Sequence, residues 1–181
     1  MEIVLGLLVV LACLIIWVYN RLVRARNYVL DAWSGIEVQL TKRHDLIPIL
    51  ANVVKSYANH ETDLLTKTTE LRAPLISADT QKTERREQSF GKQLNQIVVL
   101  AEDYSEIKAD KNFQQLQASL VAVEGDIESA RRYYNGAVRD LNVLVESFPS
   151  NLVAKQFSFE QSKFFEIELP AARATPLIKL S

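Results

Sequence analysis

An uninterrupted apolar run near the start of the chain limits the choice of folds most. From Ile3 to Tyr19 no residue is charged. As a helix rising about 1.5 Å per residue, that run reaches roughly 25 Å, the short end of what a bilayer core requires. Extension through Asn20 and snorkelling of Arg21 supply the remainder. Trp17 and Tyr19 stand at one end of the run, where aromatic rings favour headgroup level. Trp17, Tyr19 and Arg21 are therefore the candidate membrane-interface residues.

A cleavable signal peptide requires a basic leading region, and only Met1 and Glu2 precede the run. Val10-Leu11-Ala12-Cys13 can also be read as a lipoprotein signal acylated at Cys13. It lacks the same basic region, and the apolar run continues past the cysteine. The expectation is an intact anchor over residues 1–20. Arg21, Arg24 and Arg26 follow the run, and no Lys or Arg precedes it. The positive-inside rule then places the N-terminus outside and the larger part in the cytoplasm, in a single-pass protein of the cell (inner) membrane.

With Lys+Arg 21 against Asp+Glu 22 the net charge is -1, and no run of five like charges occurs. Nucleic acid is therefore not an expected partner. A 48% hydrophobic content suits a packed domain, and Gly 5 with Pro 5 is lean in the turn residues that β-rich folds use. Cys13 is the single cysteine, so no intrachain disulfide or cysteine zinc cage can form.

Hydrophobic period then divides the rest into helices. Leu22, Val29, Trp33, Ile36, Leu40 and Ile47 form one seam, with no Pro or Gly between the membrane run and Gly35. Leu46, Leu50, Val53, Tyr57, Leu64 and Leu71 form a second, three residues out of phase with the first. Pro48 sits at the changeover, three residues after Asp45, which can cap a new helix. A kinked continuous helix is the alternative; phase slip and cap together favour a tight turn near Arg43 to Asp45.

Pro74 ends the second helix, and Ser77 to Thr83 is a polar connector. Phe90, Leu94, Ile97, Ala101 and Tyr104 mark a third helix, and Asp110 is a fitting N-cap for the next. The fourth seam is the clearest: Phe113, Leu116, Leu120, Val123, Ile127, Ala130, Tyr134, Ala137, Leu141, Leu144 and Phe148 step by three or four throughout. Such spacing suits near-antiparallel helices crossing at about 20°. Gly125 and Gly136 lie beside this seam and are either close-approach points or surface positions. The helices are expected over 3–43, 46–73, 83–107 and 111–148.

After Pro149 the pattern changes. Phe157 with Phe159, and Phe165, Ile167 and Leu169, alternate with period two, which reads as short strands in a tail over 150–181. The expected fold is all-α: a transmembrane helix continuous with an antiparallel four-helix bundle over 21–149, plus that tail. Phe157, Phe159, Phe164 and Phe165 are surplus to a filled bundle core. They either fold back on it or dock on a second copy, and they are the candidate self-association residues.

Catalytic patterns are absent. His44 and His60 each adjoin an acid, but neither sits in a helix-borne metal motif. There is no phosphate-cradling glycine loop and no nucleophile elbow. Glu124, Asp126 and Glu128 read as a solvated helix face. Arg43 with Asp45, and Arg131 with Tyr133, Tyr134 and Asn135, are polar clusters best explained as a cap and as helix-to-helix hydrogen bonds. No cofactor or metal is expected, and no enzymatic activity.

Several of these residues together carry a resemblance. Tyr19-Asn20, Trp33, Gln39-Leu40, Arg43 and Asp45-Leu46-Ile47-Pro48, then Tyr57 and Glu61, resemble the first half of the LemA family. Asn112-Phe113, Leu116, Glu124, Ala130-Arg131, Tyr133-Tyr134-Asn135, Asn142 and Phe148-Pro149-Ser150-Asn151 resemble its second half. Ser105 stands where the family usually has a proline after the tyrosine. The resemblance implies an N-terminal membrane helix with a small outside terminus and a four-helix bundle, and it implies no enzymatic activity. The leading expectation is a membrane-anchored, non-enzymatic structural protein that self-associates into a homo-oligomer. The alternative is an adaptor holding another membrane protein, such as a protease or sensor kinase.

Overall fold

The computed structural model describes residues 1–57, 80–102 and 104–166. These are helical with no strand among them: α1 Glu2–Tyr57, α2 Thr80–Glu102, α3 Ser105–Ala109, α4 Lys111–Glu146 and α5 Ser150–Gln156. The chain divides into two units. One joins Met1–Ile36 with Ser129–Phe164; the other joins Glu37–Glu128 with the chain from Phe165 onward.

α1 does not turn near Arg43 to Asp45 but continues through Pro48. The reason lies in its buried stripe: Val18, Leu22, Ala25, Val29, Ala32, Ile36, Leu40, Arg43, Ile47, Leu50 and Val54. These step by three or four throughout, and Arg43 fills the position between Leu40 and Ile47. The phase slip read from the apolar residues arises only when a charged residue is left out of the core. Leu46 and Val53, from the second seam, pack at the edge of the same core. Pro48 forgoes one backbone hydrogen bond, and the packing of the stripe on both sides holds the helix through it. Of the helix expected over 46–73, residues 58–73 lie outside the described residues, as do Pro74, His60 and Glu61.

In the unit holding residues 37–128, Ile47, Leu50, Val54, Phe90, Ile97, Ala101, Ile107, Phe113 and Leu120 make the core. α2 begins at Thr80, inside the expected connector. Its buried face extends the third seam backward through Glu87 to Thr83. That helix ends at Glu102, short of residue 107, and the extended Tyr104 (φ -108°, ψ 104°) separates it from α3. Asp110 caps α4 as its sequence position implies: its Oδ1 accepts from the backbone N–H of Asn112 at 2.7 Å and Phe113 at 3.0 Å.

In the other unit, Val18, Leu22, Val153, Ala154 and Phe159 form a second core, with Val23, Leu144 and Val145 packed against it. α4 stops at Glu146 rather than 148, and Phe148 is exposed, off the seam. Val138 is buried beside the Ala137 of the expected seam. A Cβ at Gly125 or Gly136 would meet nothing within 4 Å, so neither glycine marks a close approach.

The tail departs most from expectation. Residues 150–156 are the helix α5, and 159–166 are irregular rather than strand. Ser158 turns the chain with a positive φ of 55°. Beyond it, side chains do the work a neighbouring strand would do. Asn142 Nδ2 donates to Ser162 O at 3.0 Å, while Ser162 N donates to Asn142 Oδ1 at 2.9 Å. The Tyr134 hydroxyl donates to Lys163 O at 3.0 Å. In the other unit, Glu166 N donates to Glu84 Oε1 at 2.8 Å. With its backbone groups satisfied this way, the segment needs no ladder. Ile167 and Leu169, with Pro170 and Pro176, lie outside the described residues.

Candidate functional site

Three constellations stand out, the first at the end of the apolar run. Every residue from Met1 to Trp17 is exposed within the chain, and only 6% of the most apolar 18-residue window is buried. The run is therefore not a core helix of this chain. One helix is long and apolar enough to cross a membrane among the described residues. At its C-terminal end the guanidinium of Arg21 lies 5.4 Å from the Trp17 ring centroid. Tyr19 meets Phe157 edge-on at 4.9 Å and Phe159 at 5.8 Å, and Arg26 lies over Phe159 at 5.3 Å.

Two of the four tail phenylalanines are thus spent inside the chain. Phe159 is buried in the core with Val18 and Leu22, and Phe165 is fully buried in the other unit. Phe157 and Phe164 remain about half exposed. All four stood out as surplus to a filled bundle core, but the sequence could not say which face each would meet.

The second constellation is a buried charge knot in the other unit. Arg43, only 2% exposed, donates from one Nη to Glu87 and from the other to Glu124 Oε1 at 2.8 Å. Its guanidinium also lies 5.2 Å from the Phe90 ring centroid, and His44 meets the same ring edge-on at 4.2 Å. His44 Nε2 lies 3.0 Å from Glu87 Oε1, yet the alignment makes no hydrogen bond. Burial, and then the positive charge of Arg43, lower the His44 pKa from 6.5 to about 4, so the ring is neutral at physiological pH. Gln39 Oε1, Arg43 Nε, Glu87 Oε1 and Glu124 Oε2 are likewise buried without a protein hydrogen-bond partner.

Glu124 is therefore not part of a solvated face, and Arg43 is not a turn residue. Glu87 drew no attention in the sequence at all. The available signal was positional: Thr83, Glu87, Phe90, Leu94, Ile97 and Ala101 make one regular stripe once a carboxylate is admitted to it. An arginine bound to carboxylates from two other helices makes the knot a lock between them. No group of three or more His, Cys, Asp or Glu is placed to hold a metal ion among the described residues.

The third constellation is an open recess of about 380 Å³ in the unit containing the apolar run. Ala25, Tyr28, Arg132, Tyr133, Gly136, Ala137 and Asp140 line it. Its floor is built from small residues and its rim from exposed tyrosines. The third tyrosine of the region, Tyr134, turns inward to Trp33 at 5.4 Å and to the tail.

Described residues that are helical without a strand, with one candidate membrane helix and a buried charge knot, define a helical class of protein rather than any particular chemistry. The LemA family model matches residues 32–180, and the chain belongs to that family. It is 26% identical over 151 residues to protein LemA of Metamycoplasma hominis, covering 81% of this chain and 68% of that protein. It is also 30% identical over 89 residues to magnetosome protein MamQ 2 of Paramagnetospirillum magneticum, and 28% identical over the same length to MamQ of Magnetospirillum gryphiswaldense. Those two matches cover 49% of this chain and 32% of each MamQ protein.

Proposed function

We propose that this protein is a membrane-anchored, non-enzymatic structural component that self-associates into a homo-oligomer. The observation that carries the reading is where the apolar run ends. Met1 to Trp17 is bare, whereas Val18 and Leu22, in the next turn, are already core residues packed on Val153, Ala154 and Phe159. No linker intervenes, so lipid-facing surface passes directly into packed protein. A tethered domain free to swing would instead use a polar, flexible joint. Arg21, Arg24 and Arg26 support an orientation with the N-terminus outside and the packed part in the cytoplasm. The contact of Trp33 with Tyr134, and the packing of Leu144 and Val145 against the cluster that holds Val18 and Leu22, support the antiparallel pairing that a helical bundle uses.

Self-association draws on the exposed apolar surface that the tail leaves uncovered: Phe164, Tyr28, Leu30 and Tyr133. The mass of the particle extracted in mild detergent tests it. A multiple of 20.5 kDa, maintained on dilution to micromolar concentration, is the expected result. A strict monomer overturns the proposal.

The recess favours a second reading, an adaptor that seats a side chain or helix of another membrane protein between Tyr28 and Tyr133. Stoichiometric capture of one foreign protein, lost on Gly136→Trp, is the outcome that would favour it.

A further inference from the structure

We infer that the corner between α4 and α5 is a second membrane contact, in which Phe148, Leu152 and Phe157 enter the headgroup boundary of the bilayer. This rests on the reading of the apolar run as a membrane anchor. The run is too short: roughly 25 Å of helix faces a hydrocarbon core of about 30 Å. A short span is accommodated by drawing its flanking residues toward the hydrocarbon. The last residues of the run and the first buried one beyond it are Val18, Tyr19 and Leu22, and they do not go alone. Leu144 and Val145 before the corner, and Val153 and Ala154 after it, all pack on the cluster holding Val18 and Leu22. The chain therefore reverses beside the last turn of the span, and whatever it exposes there meets the same depth.

What it exposes is apolar. Phe148 is 79% exposed, Leu152 62% and Phe157 51%, with the Phe157 ring 4.9 Å from Tyr19. The same unit carries exposed cations at Arg21 and Arg24, just after the apolar run, and at Lys155 in α5 itself. Of the nearby acids, Glu146 accepts a hydrogen bond from Gln161 and Glu160 is exposed. Exposed aromatic and aliphatic side chains, with cations close by in the chain, are what an interfacial helix presents to phospholipid. α5 is too short to bind as an isolated amphipathic helix; here the anchor already delivers it to the membrane.

The test uses the full-length protein with Cys13→Ser, reconstituted in vesicles of phosphatidylcholine and phosphatidylglycerol. Single cysteines replace Leu8, Tyr133, Phe148 or Leu152, all exposed positions where substitution removes no core contact. Each carries an environment-sensitive fluorophore, read against lipids bearing a shallow or a deep quencher. Quenching at 148 and 152 by the shallow quencher, at least about twofold above that at 133, is expected for groups buried 5–10 Å into the interface. Leu8 should respond to the deep quencher.

If 148 and 152 behave like 133 while Leu8 is quenched, the corner does not touch lipid and this inference fails alone. If Leu8 is not quenched either, the anchor reading and this inference fall together. A blue shift at 148 and 152 that grows with protein density but shows no lipid quenching overturns it in favour of contact between copies.

Discussion

α1 presents one regular stripe to two cores, and the two cores fill it by opposite means. In the unit holding the apolar run, Val18 and Leu22 of the stripe share a cluster with α5 and with Phe159 of an irregular segment tied down through Asn142 and Tyr134. In the unit holding residues 37–128, the stripe carries Arg43, and the opposing helices supply carboxylates at Glu87 and Glu124. The first core is apolar and is completed by a tail; the second buries ions at its centre. Replacing a buried ion pair with apolar groups is often neutral, so the knot contributes little net stability. It does penalise misalignment, because a one-turn slip strands a charge in the core. The first core is held by apolar packing and by hydrogen bonds to the tail.

The largest expected effect breaks the charged core. Arg43→Met leaves Glu87 and Glu124 without their partner and should cost about 3–5 kcal/mol, read as a lowered denaturation midpoint in detergent. Adding Glu87→Leu should restore most of that loss; if the double variant is no better than the single, the knot is not a closed charge unit. In the apolar core, Phe159→Ala removes a ring held between Tyr19 and Arg26 and should cost about 3 kcal/mol. That loss should be insensitive to pH and salt.

The charged core should respond to acid. His44 is neutral when folded, with a pKa of about 4, but protonates at 6.5 when unfolded. Its stabilising contribution is therefore complete above about pH 6.5 and declines as pH falls toward 4. The decline should total about 2–3 kcal/mol for a shift of this direction and size. His44→Gln should flatten that stretch of the stability profile, whereas Phe159→Ala should leave its slope unchanged.

Pro48→Ala separates an interior helix position from a first-turn one. Within a continuous α1 it should stabilise by about 2 kcal/mol, since Pro is costly in a helix interior. A neutral or destabilising result would return the turn near Arg43 to consideration. The smallest effect belongs to the tail: Asn142→Ala removes two hydrogen bonds and should cost about 1 kcal/mol. Amide exchange at Ser162 should rise well beyond that at Val138.

Much of the architecture was legible without coordinates. The apolar run, the seam of α4, the Asp110 cap and the family resemblance all depend on residues within a few positions of one another. Two expectations failed for a shared reason. Arg43 was read with Asp45 as flanking a turn, and Glu124 with Asp126 and Glu128 as a solvated face, so neither was considered for the core. Each is acceptable inside only because the other is present, 81 residues away. The tail failed differently, since alternation marks an extended chain but not what satisfies its backbone.

By itself, then, the sequence determined most of the helical seams and which segment is apolar enough to enter a membrane, because both follow from local period and composition; it missed α5 and put a turn inside α1. Tertiary structure alone decided three things: that α1 runs unbroken through Pro48, that Phe159 and Phe165 turn inward, and that Arg43 belongs to the core. The physical reason is common to all three. The free energy of burying a ring or a charge is set by the partner that arrives from elsewhere in the chain, and only folding brings the two together.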